Sequence, residues 1–267
     1  MHADAGGCPM VVTTSRRPTD TERARAAQVS VRCGAPLVPR ASREVAARAP
    51  FVYVVSRDAE KIVGARILWV HPGTAQVCLS RGRLDPLLQA VAPGRDPITS
   101  VVDATLGLAR DALHLAAVLR CPVLGIESSA PLACLAEGGL RRLTTDPAWS
   151  AAAALVTVRH GRSEEVLASL PPGSADVVLL DPMFSEPRRA APGFDMMRPF
   201  ALPGGPSEQL LAAAARVARR RVVLKVSYGA ALPPGASALR WTGRVHGKAF
   251  EYLVCEGDAL RSAPTCG

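Results

Sequence analysis

From Ile98 onward, short runs rich in valine and leucine alternate with helical stretches, and that alternation leaves few folds open. Strands are expected at residues 100–105, 122–127, 154–158, 177–181 and 222–226, with helices at 110–119, 130–143, 163–170 and 207–219 between them. Strands with little polar alternation, each followed by a helix, belong to a mostly parallel sheet covered on both faces. The expected class is therefore α/β, Rossmann-like. Residues 238–245 and 250–256, on either side of Gly247, predict an antiparallel closing pair.

The first third of the chain reads differently. Residues 1–10 look like an irregular lead-in, 11–14 a short strand, and 19–33 a helix capped by Thr19 or Asp20. Two β-rich runs, 51–56 and 62–70, surround the polar turn Arg57-Asp58-Ala59-Glu60 and predict a hairpin. His71-Pro72-Gly73 closes that unit, a short helix follows over 81–91, and the proline- and glycine-rich residues 92–97 read as a linker. The expected division is an α+β substrate-binding extension, 1–97, and a larger domain, 98–267. Residues 185–206, rich in Pro, Gly, Arg and Met, predict a substrate loop.

Charge narrows the partner. The chain carries a net charge of +9, and with only three lysines, Lys61, Lys225 and Lys248, arginine supplies nearly all of its 32 basic residues. Guanidinium groups pair well with phosphates, so the excess fits a nucleic-acid partner; a GC-rich genome would inflate arginine as well. The seven cysteines are scattered without a C-x-x-C pair, which argues against a disulfide framework and for a reducing compartment. No metal site is expected from the histidine spacing. No leader-like or membrane-spanning apolar run occurs, so a cytoplasmic location is expected.

Two constellations carry chemistry. In the first, Val101-Val102-Asp103-Ala104-Thr105-Leu106-Gly107-Leu108-Ala109-Arg110-Asp111 reads as strand, glycine turn and helix start. Ligands of open α/β sheets sit beyond the carboxyl ends of the strands, where a helix amino terminus also points. Glu127 should end the next strand, where its carboxylate can take both hydroxyls of a ribose. The later glycines of a dinucleotide fingerprint are missing, and so is a phosphate-binding G-x-x-x-x-G-K-[ST] loop. S-adenosylmethionine has no phosphate, and Asp103 and Asp111 suit its ammonium. Thr105, Arg110 and Ser128 complete the expected cofactor set, with Ser163 either touching adenine or capping the next helix. Asp111 as a helix cap and Asp103 as a turn residue remain an alternative.

The second constellation, Asp181-Pro182-Met183-Phe184, follows the apolar run Val177-Val178-Leu179-Leu180. A purine's exocyclic amine is a poor nucleophile because its lone pair is delocalised into the ring. The Asp181 carboxylate and the Pro182 carbonyl can accept its hydrogens while Phe184 stacks on the base, worth roughly 1–3 kcal/mol. An ordinary strand exit with Phe184 in the core would look the same. Lys225 should end the fifth strand and touch phosphate or Asp181, and Arg188 and Arg189, with Arg16, Arg81, Arg83 and Arg198, are candidates for RNA backbone contacts.

Together these segments resemble the RsmJ-like family of class I S-adenosylmethionine-dependent methyltransferases, which carry a similar D-A-T-x-G-L-G-x-D stretch, a D-P-M-F-P stretch and a later V-V-x-K strand. The resemblance covers roughly residues 98–256, and more loosely the N-terminal unit, and implies methyl transfer to the 2-amino group of a guanosine in small-subunit ribosomal RNA. It implies cofactor contacts at Asp103, Gly107, Asp111 and Glu127, and acceptor-side roles for Asp181 and Phe184. Ala109 stands where the family has a second glycine, and Ser185 where it has a proline. An NAD(P)-dependent oxidoreductase and a non-catalytic RNA-binding module are the rival readings.

Overall fold

The computed structural model describes residues 10–40, 49–183, 194–201, 205–229 and 231–261. The chain opens with strand β1, Met10–Thr14, so Met10 belongs to the core and not to the lead-in. Helix α1, Asp20–Cys33, starts at Thr19: the Thr19 hydroxyl accepts from the Glu22 amide, and the Glu22 carboxylate accepts from Thr19 N at 2.7 Å. That reciprocal box satisfies two amides that a helix start would leave bare. Gly34 closes the helix in the left-handed conformation that lacks a Cβ penalty.

Strands β2, Phe51–Val55, and β3, Glu60–Val63, form the expected hairpin, and β1 adds parallel to β2. The second run is not one strand but two. It breaks after Val63, and Ile67–Leu68 returns as a short β4. Glu60, read as a turn residue, is already on β3 and buried.

A helix that the sequence reading missed, α2, spans Gly73–Arg81, and α3 begins only at Pro86 and runs to Val91, capped by the buried Asp85. Both pack into the core of the larger sheet: Ala75, Leu87, Ala90 and Val91 are buried among Val101, Leu113 and Leu115.

That larger sheet has seven strands. In chain order they are β5 (Val101–Asp103), β6 (Val123–Glu127), β7 (Val156–His160), β8 (Ala175–Leu180), β9 (Ala218–Ser227), β10 (Gly243–His246) and β11 (Phe250–Glu256). They lie side by side as β10-β11-β9-β8-β5-β6-β7. Five run parallel, and β11 pairs antiparallel with both β9 and β10, which is the expected closing pair. Helices α4 (Arg110–Leu119), α5 (Ala130–Leu143), α6 (Ser163–Ser169) and α7 (Glu208–Val217) connect them. One apolar layer forms on each face of the sheet, with Val101, Val177, Leu179 and Val223 on one side and Val102, Val178, Leu180 and Leu224 on the other. This is the period-2 alternation of strands buried on both faces.

The small sheet packs on α5, where Val12, Tyr53 and Ile62 share a core with Leu132 and Leu135. Among the described residues, no helix is long and apolar enough to cross a membrane.

Candidate functional site

Strand order reverses between β5 and β8, so the loops leaving their carboxyl ends diverge and open a cleft of about 1180 Å³. Asp103, Gly107, Glu127, Asp181 and Lys225 all line it. Two segments nearly eighty residues apart therefore meet at one cavity.

On the β5 side the chain turns through Gly107 and Ala109, with φ of +54° and +57°. Glycine takes such angles freely, whereas an L-residue in the left-handed region is strained by roughly 1–2 kcal/mol. Ala109 adopts the glycine-like geometry all the same, as the residue that caps α4, Arg110–Leu119. Asp103 closes β5, buried, with its carboxylate accepting from Thr105 N at 3.1 Å.

Glu127 does more than the sequence suggested. One carboxylate oxygen accepts from Gly107 N at 2.9 Å and the other from Ser129 N at 2.8 Å, so it stitches the glycine turn to the loop after β6. Hydrogen bonds from the backbone and side chain of Ser128 act on the same carboxylate. Ser128 also lines the cleft. Ser163 lines it too, but its hydroxyl donates to the Ala104 carbonyl at 2.5 Å. The residue capping α6 is Arg162, not Ser163, which corrects the capping alternative.

Asp181 is held by the neighbouring loop: its backbone N–H donates to Thr105 Oγ1 at 2.6 Å. Pro182 and Met183 follow along the cleft wall. Phe184, Arg188 and Arg189 lie outside the described residues, as does most of the loop 185–206. Lys225 does not end its strand, since β9 runs on to Ser227. Its ammonium meets Asp181 Oδ2 at 2.6 Å, and Arg110 reaches the same oxygen at 3.6 Å while pairing with Asp111 at 2.8 Å.

Four carboxylates, those of Asp103, Asp111, Asp181 and Glu127, thus share one buried region with two cations. Burial, followed by the negative charge of Asp111, pushes the Asp103 carboxyl up to about 8. Burial likewise raises Glu127. It raises Asp181 too, with Lys225 opposing. Burial would raise Asp111, but Arg110 and then Lys225 draw it down to about 2. The cradle carries more acid than its own cations neutralise, a setting suited to a positively charged ligand.

The sequence reading missed the wall contributed by the small-sheet side. Val77 and Cys78 of α2, with Ile67 and Trp69 around β4, line the cleft beside Arg81, already a candidate RNA contact. Ala75, Cys78 and Leu79, at i, i+3 and i+4, carry a faint helical signal that the Pro72-Gly73 pair obscures. Met197 was missed as well; its methyl lies close over Gly107. Among the aromatics, Phe250 and Tyr252 line the cleft, and Tyr228 stands half exposed beside His246.

The family model "Putative SAM-dependent methyltransferase" matches residues 52–240. Ribosomal RNA small subunit methyltransferase J from Halorhodospira halophila is 38% identical over 191 residues, 70% of this chain and 70% of its own. The enzyme of that name from Laribacter hongkongensis is 37% identical over 147 residues, 54% of this chain. That match spans about half of the relative's length, 52%. Among solved structures, the SAM-dependent methyltransferase NGO1261 from Neisseria gonorrhoeae superposes with a TM-score of 0.67 at 24% identity, covering 92% of this chain and 95% of that one. This last likeness bears on the fold.

Proposed function

We propose that this chain, which belongs to the RsmJ-like family of S-adenosylmethionine-dependent methyltransferases, transfers a methyl group to an exocyclic base amine of RNA. The acceptor favoured is the 2-amino group of a guanosine in small-subunit ribosomal RNA, the RNA named for its relatives. The observation that carries this reading is the shared cleft: an acidic cradle around Gly107 and a strand-end Asp-Pro step open into the same cavity.

The residues present fit the cofactor on physical grounds. A buried Asp103 pushed up to about 8 beside Asp111 marks a place where a cation lowers the energy of the protein. When bound, S-adenosylmethionine supplies an activated methyl group on a cationic sulfur. Asp103, Thr105, Gly107, Arg110, Asp111, Glu127, Ser128 and Ser163 form its proposed cradle. Glu127 positions the glycine turn through Gly107 N and orients the following loop through Ser129 N.

On the acceptor side, Asp181 and the Pro182 carbonyl accept the two amine hydrogens, and Phe184 stacks on the base. That arrangement favours a pyramidal nitrogen with its lone pair free. Positioning supplies most of the rate in such a displacement, and the proton leaves afterwards to Asp181 or water. Arg188 and Arg189, with Arg16, Arg81, Arg83 and Arg198, are the proposed grip on the RNA backbone. Residues 1–97 serve as the substrate-holding extension and 98–267 as the methyltransferase unit, the two joined by the shared packing of α2 and α3. The setting proposed is the cytoplasm, in keeping with the scattered cysteines.

Tritiated methyl transfer to total RNA from cells lacking the gene tests the reading, and mapping the labelled nucleotide identifies the acceptor. Incorporation of no label into RNA would overturn it. Asp181→Ala is expected to keep cofactor affinity within about twofold and to lose transfer by about 100-fold, the range of one positioned proton acceptor. Glu127→Ala is expected to weaken cofactor binding by about tenfold in calorimetry, because the glycine turn and the following loop lose their common anchor.

A further inference from the structure

We infer that Lys225 is a positioning residue for the acceptor-side carboxylate, a role that rests on the proposed methyl transfer but is readable without it. Register sets the geometry. Leu180 of β8 lies beside Leu224 of β9, so the next residues stand side by side, Asp181 just past the end of β8 and Lys225 still within β9. Across the antiparallel pair, Lys225 is opposite Tyr252. Phe250, two residues earlier on the same face, lies under the ammonium, with Nζ 4.8 Å from its ring centroid and 6.0 Å from that of Tyr252. The lysine side chain is 12% exposed, so its ammonium is confined between an aromatic wall and a carboxylate.

That confinement acts on Asp181. Lys225 holds Oδ2 at 2.6 Å with Arg110 at 3.6 Å on the same oxygen, while the backbone N–H of Asp181 is fixed by Thr105. Among the described residues no donor reaches Oδ1, and we assign that oxygen to the acceptor amine. The groups facing the carboxylate are Lys225 from β9, Arg110 and Asp111 from α4, Asp103 from β5 and Tyr252 from β11. Burial raises the Asp181 carboxyl and the lysine opposes that rise, so removing the cation moves its titration further upward. Arg110 is the more distant cation, 3.6 Å from that oxygen, with its Nε paired to Asp111 at 2.8 Å.

The test compares wild type, Lys225→Met and Lys225→Arg in the full chain. Methionine keeps the length of the stem and its apolar packing, and arginine keeps the charge. Transfer to RNA is expected to fall by about 100-fold in kcat for Lys225→Met, with KM for RNA within about threefold and the acid limb of the pH profile moved to higher pH. Lys225→Arg should recover most of the loss and restore the limb. A merely structural lysine would move none of the pH limbs. A phosphate-binding lysine would raise KM for RNA and leave the limb in place, and either result overturns the inference.

Carbon-13 NMR of the aspartate carboxylates, with Asp181 assigned from the Asp181→Asn difference, reads the same contact without any acceptor. Asp181 titrating at higher pH in Lys225→Met than in wild type supports the positioning role even if no RNA is methylated. Equal titration in the two overturns it even if RNA methylation is observed. Should Lys225→Met not fold, Lys225→Gln carries the same comparison.

Discussion

Wild-type protein is expected to release close to one proton per cofactor bound near pH 7, and Asp103→Asn to release none. The Asp103 carboxyl sits at the end of β5, is 2% exposed, and is pushed up to about 8 by burial and then by Asp111, with Asp181 and Glu127 adding to the repulsion. Below that pH the free protein holds the group protonated. A sulfonium and an ammonium placed in the cradle favour the ionised form, so binding drives the proton off. Binding enthalpies measured in two buffers of different ionisation enthalpy give the proton count directly. An equal count for wild type and the Asn variant would rule out Asp103 as the coupled group.

The same carboxyl predicts a stability profile. Its pKa is raised from the model-compound value of about 3.9 to about 8 on folding, so its contribution is fully present below the lower value and is lost as pH rises through the upper one. At roughly 1.4 kcal/mol per unit, the ligand-free protein loses on the order of several kcal/mol between these limits. Asp103→Asn, neutral at every pH, removes that decline. Denaturant melts at pH 5 and pH 9 should therefore show the variant losing less stability than wild type. Parallel loss in both proteins would place the destabilisation elsewhere.

The parts of this protein that were legible in its sequence are those fixed by local pattern. Arg110–Leu119 and Ala130–Leu143 were read to the residue because each has a clear apolar face and a clear stop. Of the two caps the sequence allowed, Thr19 or Asp20, the structure uses Thr19, whose capping box with Glu22 spans four residues. The failures lie where tertiary contact overrides a local signal. Pro72 and Gly73 look like breakers, yet Pro72 is a tolerable cap and His71 Nδ1 accepts from Gly73 N at 2.9 Å, so α2 begins there. Residues 150–154 are a short alanine helix that delays β7 to Val156.

The candidate site divides the same way. Asp103, Glu127 and Asp181 were visible because carboxyl ends of strands are where such sheets bind ligands. Their hydrogen bonds to backbone amides, and the ion pair of Lys225 with Asp181, depend on sheet register that no stretch of sequence states. Ala109 shows how local chemistry can mislead in the other direction. Where the family has a second glycine, the turn is kept with a strained alanine, which removes a physical reason for preferring the non-catalytic reading.

The clearest misreading was Glu60, taken for a turn residue, and it predicts the largest loss of stability. Its side chain is 4% exposed and accepts from Arg25 Nε at 3.0 Å and Nη2 at 3.2 Å, from Arg141 at 2.6 Å, and from the buried Tyr53 hydroxyl. One carboxylate thereby joins α1, β2, β3 and α5. Breaking a buried ion pair from one side leaves its partners desolvated and unpaired, so Glu60→Ala is expected to cost about 3–5 kcal/mol and to lower the melting temperature by on the order of 10 °C. Gly138 of α5 lies directly against that carboxylate, and a Cβ there would collide with it. Gly138→Ala should therefore destabilise wild type by displacing Glu60 from its arginines. In the Glu60→Ala background the space is empty, and the same substitution should cost nothing, or gain up to about 1 kcal/mol from better helix propensity. Thermal and denaturant melts of the two single variants and the double variant measure this coupling. Strictly additive losses would mean that Glu60 and Gly138 contribute independently, and that the carboxylate is not the clamp between the small sheet and the helix it packs on.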